Sequence, residues 1–160
     1  MNKTLYDSYS DRIDLLADEL LKRHPMLETK IRRSLMCGAE EARQGLVETI
    51  KFLSLVAEQS NTTLTPAHRV DLAWHEFILF TRAYADFCQV QFGKFIHHNP
   101  GGTPKENRKQ FTATLNFYES RYGIPPRLFW GGGDQRSGVD QRSGVDQTVA
   151  SCGNCETIGV

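Results

Sequence analysis

The stretch Val70 to Pro100, VDLAWHEFILFTRAYADFCQVQFGKFIHHNP, decides how the chain is read. It holds three of the five histidines, one of the four cysteines, a Trp and a dense set of Phe and Tyr. Val70, Ala73, Trp74, Phe77 and Ile78 recur at three and four, the stripe of a helix with one buried face. Asp71 and His75 are four apart and share a face of that helix, one turn from each other. Cys88 lies thirteen residues beyond His75. On one straight helix that is about 20 Å of rise and nearly opposite faces. The two meet only if the helix breaks, and Phe80-Thr81-Arg82 is the expected break, with Thr81 capping the second half. That half carries Tyr84, Phe87, Cys88, Gln91 and Phe92 and ends at Gly93. His97-His98-Asn99-Pro100-Gly101-Gly102 then forms a turn-rich loop able to return towards the first half.

Outward from this stretch the chain reads as helices. Ser10 is an N-cap candidate, and Ile13, Leu16, Ala17, Leu20 and Leu21 form a stripe that ends near His24-Pro25. A short helix follows over Leu27 to Met36, closed by Gly38. From Ala39 to about Gln59, Leu46, Ile50, Leu53, Val56 and Ala57 make the longest clear helix before the central stretch. Ser60 to Thr63 break it, and Thr65-Pro66 reads as the start of the next helix. Thr103-Pro104-Lys105-Glu106 carries a capping box, followed by the face Phe111, Leu115, Tyr118 and Tyr122. Gly123 and Pro125-Pro126 stop it. No segment alternates with period two between hairpin turns. The expected fold is all-α, one compact domain of five to six helices over residues 1–130.

After Trp130 the composition changes. The hexamer Asp-Gln-Arg-Ser-Gly-Val occurs twice, and the chain ends in SCGNCETIGV. Polar, Gly-rich sequence of this kind cannot bury a core, so 131–160 is expected to be a disordered tail. Its Cys152-x-x-Cys155 is half of a zinc knuckle or a thiol pair. A redox C-x-x-C opens a helix in a βαβ setting, which is missing here, so two exposed thiols are the simpler reading.

Composition bounds the function. The 19 basic residues balance the 19 acidic ones, which argues against a nucleic-acid binder working by bulk charge. Arg32, Arg33, Arg69, Arg82 and Lys105 are interspersed with acids, and no RNP-like or C2H2 pattern occurs. No apolar run approaches the roughly 20 residues of a membrane span. The N-terminus lacks a signal-peptide core, so the cytoplasm is the expected location and no membrane partner is expected. A protein partner is open.

The pattern Asp71-x-x-Trp74-His75, then Tyr84 and Cys88, then Phe92-Gly93, resembles the glycine-rich-domain-containing-protein family of plants, fungi and bacteria. The resemblance covers about Thr65 to Trp130, including Tyr122-Gly123-x-Pro125-Pro126. Plant members carry Asn-Pro near the position of Phe80-Thr81, which implies the helix break. Two positions depart: Phe77 stands where plant members have a second His, and Phe87 where they have an Asp. The resemblance implies a fold and candidate residues and no enzyme class.

Three readings of the central stretch stand side by side. In the first, His75, Cys88 and one of His97 and His98 bind a metal, with Asp71 as ligand or orienting partner. Mixed N and S donors favour Zn(II). Adjacent side chains diverge, so one of His97 and His98 at most is expected to coordinate. In the second, Trp74, Phe77, Tyr84, Phe87, Phe92 and Phe95 are a core, Cys88 a small buried hydrophobe, and His75 a histidine satisfied by Asp71. The domain is then a metal-free helical interaction module. In the third, Cys88 is a nucleophile with His75 or His97 as base. Phe87 and Val90 suggest burial of that thiol, which makes it inert, so a non-catalytic module is the expectation.

Overall fold

In a computed structural model the chain is described over residues 3–131, with side chains described from Ser10 onward. The hexamer repeat and the Cys152/Cys155 pair lie outside the described residues. Seven helices are found among the described residues and no strand: α1 Lys3–Arg23, α2 Pro25–Leu35, α3 Ala39–Glu58, α4 His68–Leu79, α5 Thr81–Phe92, α6 Pro104–Tyr122 and α7 Arg127–Trp130. No helix among them is long and apolar enough to cross a membrane.

α3 is the central element, with α1, α2, α4 and α6 packed around it. Its sequence explains the position. Leu46, Val47, Ile50, Phe52, Leu53 and Leu55 are all buried, which spreads apolar surface over more than one face. Close approach is possible because Gly45 has no side chain. A Cβ there would lie 3.0 Å from Leu35 Cδ1, 3.4 Å from Phe129 Cε1 and 3.6 Å from Ala73 Cβ. Three helices thus press on α3 at one point. Arg43 ties α1 to α3 as well, its Nε 2.6 Å from Asp18 Oδ1 and its terminal nitrogen 3.0 Å from Asp14 Oδ1.

α3 also carries a buried carboxylate. Glu48 Oε1 accepts from Gln44 Nε2 and Lys51 Nζ, both at 2.9 Å. Glu48 Oε2 accepts from Tyr118 OH at 2.6 Å and Trp130 Nε1 at 2.7 Å. Four donors, one of them cationic, offset the cost of taking this charge out of water. The same bonds staple α6 and α7 to α3. Burial first, and then the Glu48 carboxylate beside it, push the Tyr118 phenol above its ordinary range, so it stays a donor.

Several helix ends differ from expectation. α1 begins at Lys3, not after Ser10, because no Gly or Pro interrupts the residues before Ser10. α2 is closed by Met36 and not by Gly38. Met36 adopts the left-handed conformation (φ 51°), with its own N–H and that of Cys37 bonded to Arg33 and Arg32 carbonyls. Gly38 instead caps the start of α3. Thr65-Pro66 precedes α4 without capping it. Thr65 is held across to α6, with its N–H 3.1 Å from Thr114 Oγ1, its carbonyl accepting from the same hydroxyl at 2.8 Å, and its Oγ1 2.7 Å from Gln110. α7 is a seventh helix, one turn long, that the sequence pattern does not announce. The break at Phe80, the capping box of Thr103 and Glu106, and the ends at Gly93 and Gly123 are as expected, but Thr81 does not cap α5: it is the first residue of that helix, and Phe80 is its N-cap with no side-chain cap bond.

Two stability tests follow. Met36 is 92% exposed, so Met36→Gly removes left-handed strain with little lost packing. It is expected to add about 1 kcal/mol, read as a higher urea midpoint at unchanged slope. Glu48→Ala leaves Tyr118 and Trp130 without their acceptor and Lys51 without its buried counter-charge. A loss of about 3–5 kcal/mol is expected in the same assay, and a loss below about 1 kcal/mol would contradict the stapling role.

Candidate metal centre

α4 is built on the buried stripe Val70, Ala73, Trp74 and Phe77. Asp71 sits in its first turn, where the helix dipole favours a negative charge. The chain turns at Phe80 (φ −83°, ψ 61°), and α5 starts at once. The turn brings Tyr84 back to Trp74, whose Nε1–H donates to the Tyr84 hydroxyl at 3.0 Å. That hydroxyl donates in turn to the Ile96 carbonyl at 2.7 Å. One buried phenol oxygen therefore joins α4, α5 and the loop between α5 and α6.

The loop is pinned at Ile96, which is buried, and its side chains then alternate. Phe95 and His97 are exposed and touch each other at a tilt, ring centroids 4.7 Å apart and planes at 58°. His98 turns inward. Its Nε2 lies 2.8 Å from Asp71 Oδ1. Its ring packs on Trp74 at 4.4 Å and on His75 at 4.3 Å. The loop closes through Gly102 (φ 96°), where an added Cβ would meet Asn107 Oδ1 at 2.5 Å. The positive φ favours glycine there, and any other residue would also have to push aside the Asn107 side-chain amide.

His75 completes the group. Its Nδ1 is 2.7 Å from the Asp71 carbonyl oxygen and 3.4 Å from Asp71 Oδ2. Donation of Nδ1–H to that carbonyl leaves the lone pair of the neutral ring on Nε2. One oxygen of Asp71 and one nitrogen each of His75 and His98 lie within 4.8 Å of one another. Burial is uneven: the side chains are 5% exposed for Asp71, 11% for His98 and 41% for His75.

Of the five candidate ligands, the fold brings together Asp71, His75 and His98. His97 faces away, and Cys88 is not in the group. Cys88 is fully buried one turn after Tyr84, directed at Tyr84 and the Ile96 backbone, and burial pushes its thiol above the ordinary range. A thiol so placed is neither a nucleophile nor a ready ligand. Tyr84 is pushed upward too, mainly by burial, and stays a protonated donor to Ile96. The positioning residues Trp74 and Tyr84 were visible in the sequence only as aromatics. Ten residues apart, they meet because of the turn at Phe80.

The model of the UCP032817-like family matches residues 12–119, and the chain belongs to that family. The match includes Asp71, His75 and His98, and it ends before α7. No curated protein and no solved structure matches the chain.

Tyr84→Phe tests the seating of the loop. It deletes the donor to Ile96 and leaves the Trp74 N–H without its acceptor. A loss of about 1–3 kcal/mol in urea unfolding is expected. Wild-type stability would show that the loop is held by other contacts.

Proposed function

We propose that this chain is a small helical module whose Asp71, His75 and His98 bind one divalent transition-metal ion, zinc foremost. The observation that carries this reading is the convergence of a carboxylate and two imidazoles at one edge of the aromatic core. Imidazole and carboxylate suit zinc, and three protein ligands are a recurring number for it. His75 is also held in orientation by the backbone. The His75 Nδ1 bonded to the Asp71 carbonyl fixes that ring's tautomer and orientation. The ion would replace the hydrogen bond between His98 Nε2 and Asp71 Oδ1. Cys88 and His97 have other roles in this reading: a packing thiol and a solvent-facing ring.

The resemblance to glycine-rich-domain-containing proteins belongs to the same proposal, as do a cytoplasmic location, a protein partner and a non-catalytic role. The proposed division is a helical domain over 1–130 and a tail over 131–160. A second reading rests on a specific observation. The Asp71–His98 hydrogen bond and the packing of the His98 ring against Trp74 are enough to seat the loop. The domain is then a metal-free interaction module whose aromatic cluster is structural.

Elemental mass spectrometry of the tag-free protein separates the two. Near one zinc per chain is expected, with loss in His98→Ala and Asp71→Asn. Retention is expected in Cys88→Ala and in a chain ending at Gly131. Saturating zinc at about 100 times its dissociation constant should add about 2.7 kcal/mol of stability. No bound metal after zinc addition, with a melt unchanged by chelator, would favour the metal-free module. Zinc lost only on truncation would move the ion to Cys152 and Cys155.

A further inference from the structure

We infer that the ion held by Asp71, His75 and His98 keeps one exchangeable coordination position on the His75 side, and that this position takes a small anion of the carboxylate or phosphate kind in place of water. The inference rests on the metal-binding reading above and goes beyond it by naming a ligand class.

Donor number comes first. The group brings three ligand atoms together, and zinc in protein sites takes at least four. The neighbouring candidates lie outside the group: Cys88 is buried against Tyr84 and the Ile96 backbone, and His97 is exposed with its ring tilted against Phe95. Three protein ligands with a fourth position left to solvent or substrate is the pattern of reactive zinc sites, whereas structural sites close the shell with protein donors.

Geometry places the open side. Asp71 and His98 are nearly covered, and the Trp74 ring lies against His98 at 4.4 Å, closing that flank. His75 alone of the three is substantially exposed. Its Nδ1 is held by the Asp71 carbonyl, so the lone pair it offers is on Nε2, the nitrogen farther from the backbone. An ion bound there meets water on the His75 side.

Charge selects the ligand. A dication with one carboxylate and two neutral imidazoles keeps a net charge of about +1 at the centre of the site. Half-shielded from water, that charge favours an anionic oxygen or nitrogen donor over a neutral one.

The test uses the full chain loaded with cobalt(II), whose visible absorption reports ligand number and type. Azide, acetate and inorganic phosphate are titrated in turn. A saturable shift of the visible bands with azide and with at least one of the oxyanions is expected, with cobalt retained on gel filtration. The same shift is expected in Cys152→Ser/Cys155→Ser. Bands that no anion changes would overturn the inference and leave the metal reading intact. So would a thiolate-to-cobalt charge-transfer band that disappears in the double serine variant, because the position would then be filled by the chain's own sulfur. Absence of any cobalt spectrum, or a spectrum unchanged in His98→Gln, would overturn the metal reading and this inference with it.

Discussion

The hydroxyl of Tyr84 accepts from Trp74 on α4 and donates to the Ile96 carbonyl at the start of the loop. It lies in a fully buried side chain, where an unmade hydrogen bond costs more than it would in water. The two bonds fix the depth of Ile96. Alternation along an extended segment then carries His98 inward to Asp71 and His97 outward to solvent. Without that registration the two adjacent histidines would be equivalent in sequence and in chemistry. The cluster is therefore less a feature of its three residues than of the phenol that sets which of two imidazoles reaches the carboxylate.

A second buried polar network supports the first from the other side of the core. Glu48 fastens Tyr118 and Trp130 to α3, and a run of ring contacts leads back from it. Trp130 lies 6.5 Å from Phe52, Phe52 lies 5.5 Å from Trp74, and Trp74 lies 4.4 Å from His98, all between centroids. Packed interiors transmit displacement because they have few voids. The family match stops at residue 119, yet Trp130 of α7 is part of the packing behind the site. The segment after the match is thus built into the same core.

Local chemistry made much of this fold legible in the sequence. The capping box at Thr103 and Glu106, the left-handed end at Gly93 and the break at Phe80 are each decided by a few neighbouring residues. Asp71 and His75 were also legible as a pair, since helical spacing places them on one face. The choice of His98 over His97 was not, because it follows from the bond between Tyr84 and Ile96 across twelve residues. Glu48 was missed for the same reason. Its partners Tyr118 and Trp130 are 70 and 82 residues away, and in a helical pattern an acid reads as a solvated face. The clue was that α3 is apolar on more than one side, which leaves little solvated face for Glu48 to occupy. Cysteine is a ligand type, which makes Cys88 a candidate from sequence. It lies buried and outside the Asp71, His75 and His98 group, an environment in which a free thiol serves as a small hydrophobe.

The state of the histidine ring nitrogens tests the proposed metal centre most directly. Ring-nitrogen NMR of the histidines in ¹⁵N-labelled protein, recorded before and after one equivalent of zinc, distinguishes each imidazole and its tautomer. The expected result is a shift of His98 from the Nε2–H form to the Nδ1–H form with Nε2 bound, a metal-bound Nε2 on His75, and unchanged His97. Unchanged spectra of His75 and His98, or a zinc shift confined to His97, would contradict a centre built on Asp71, His75 and His98.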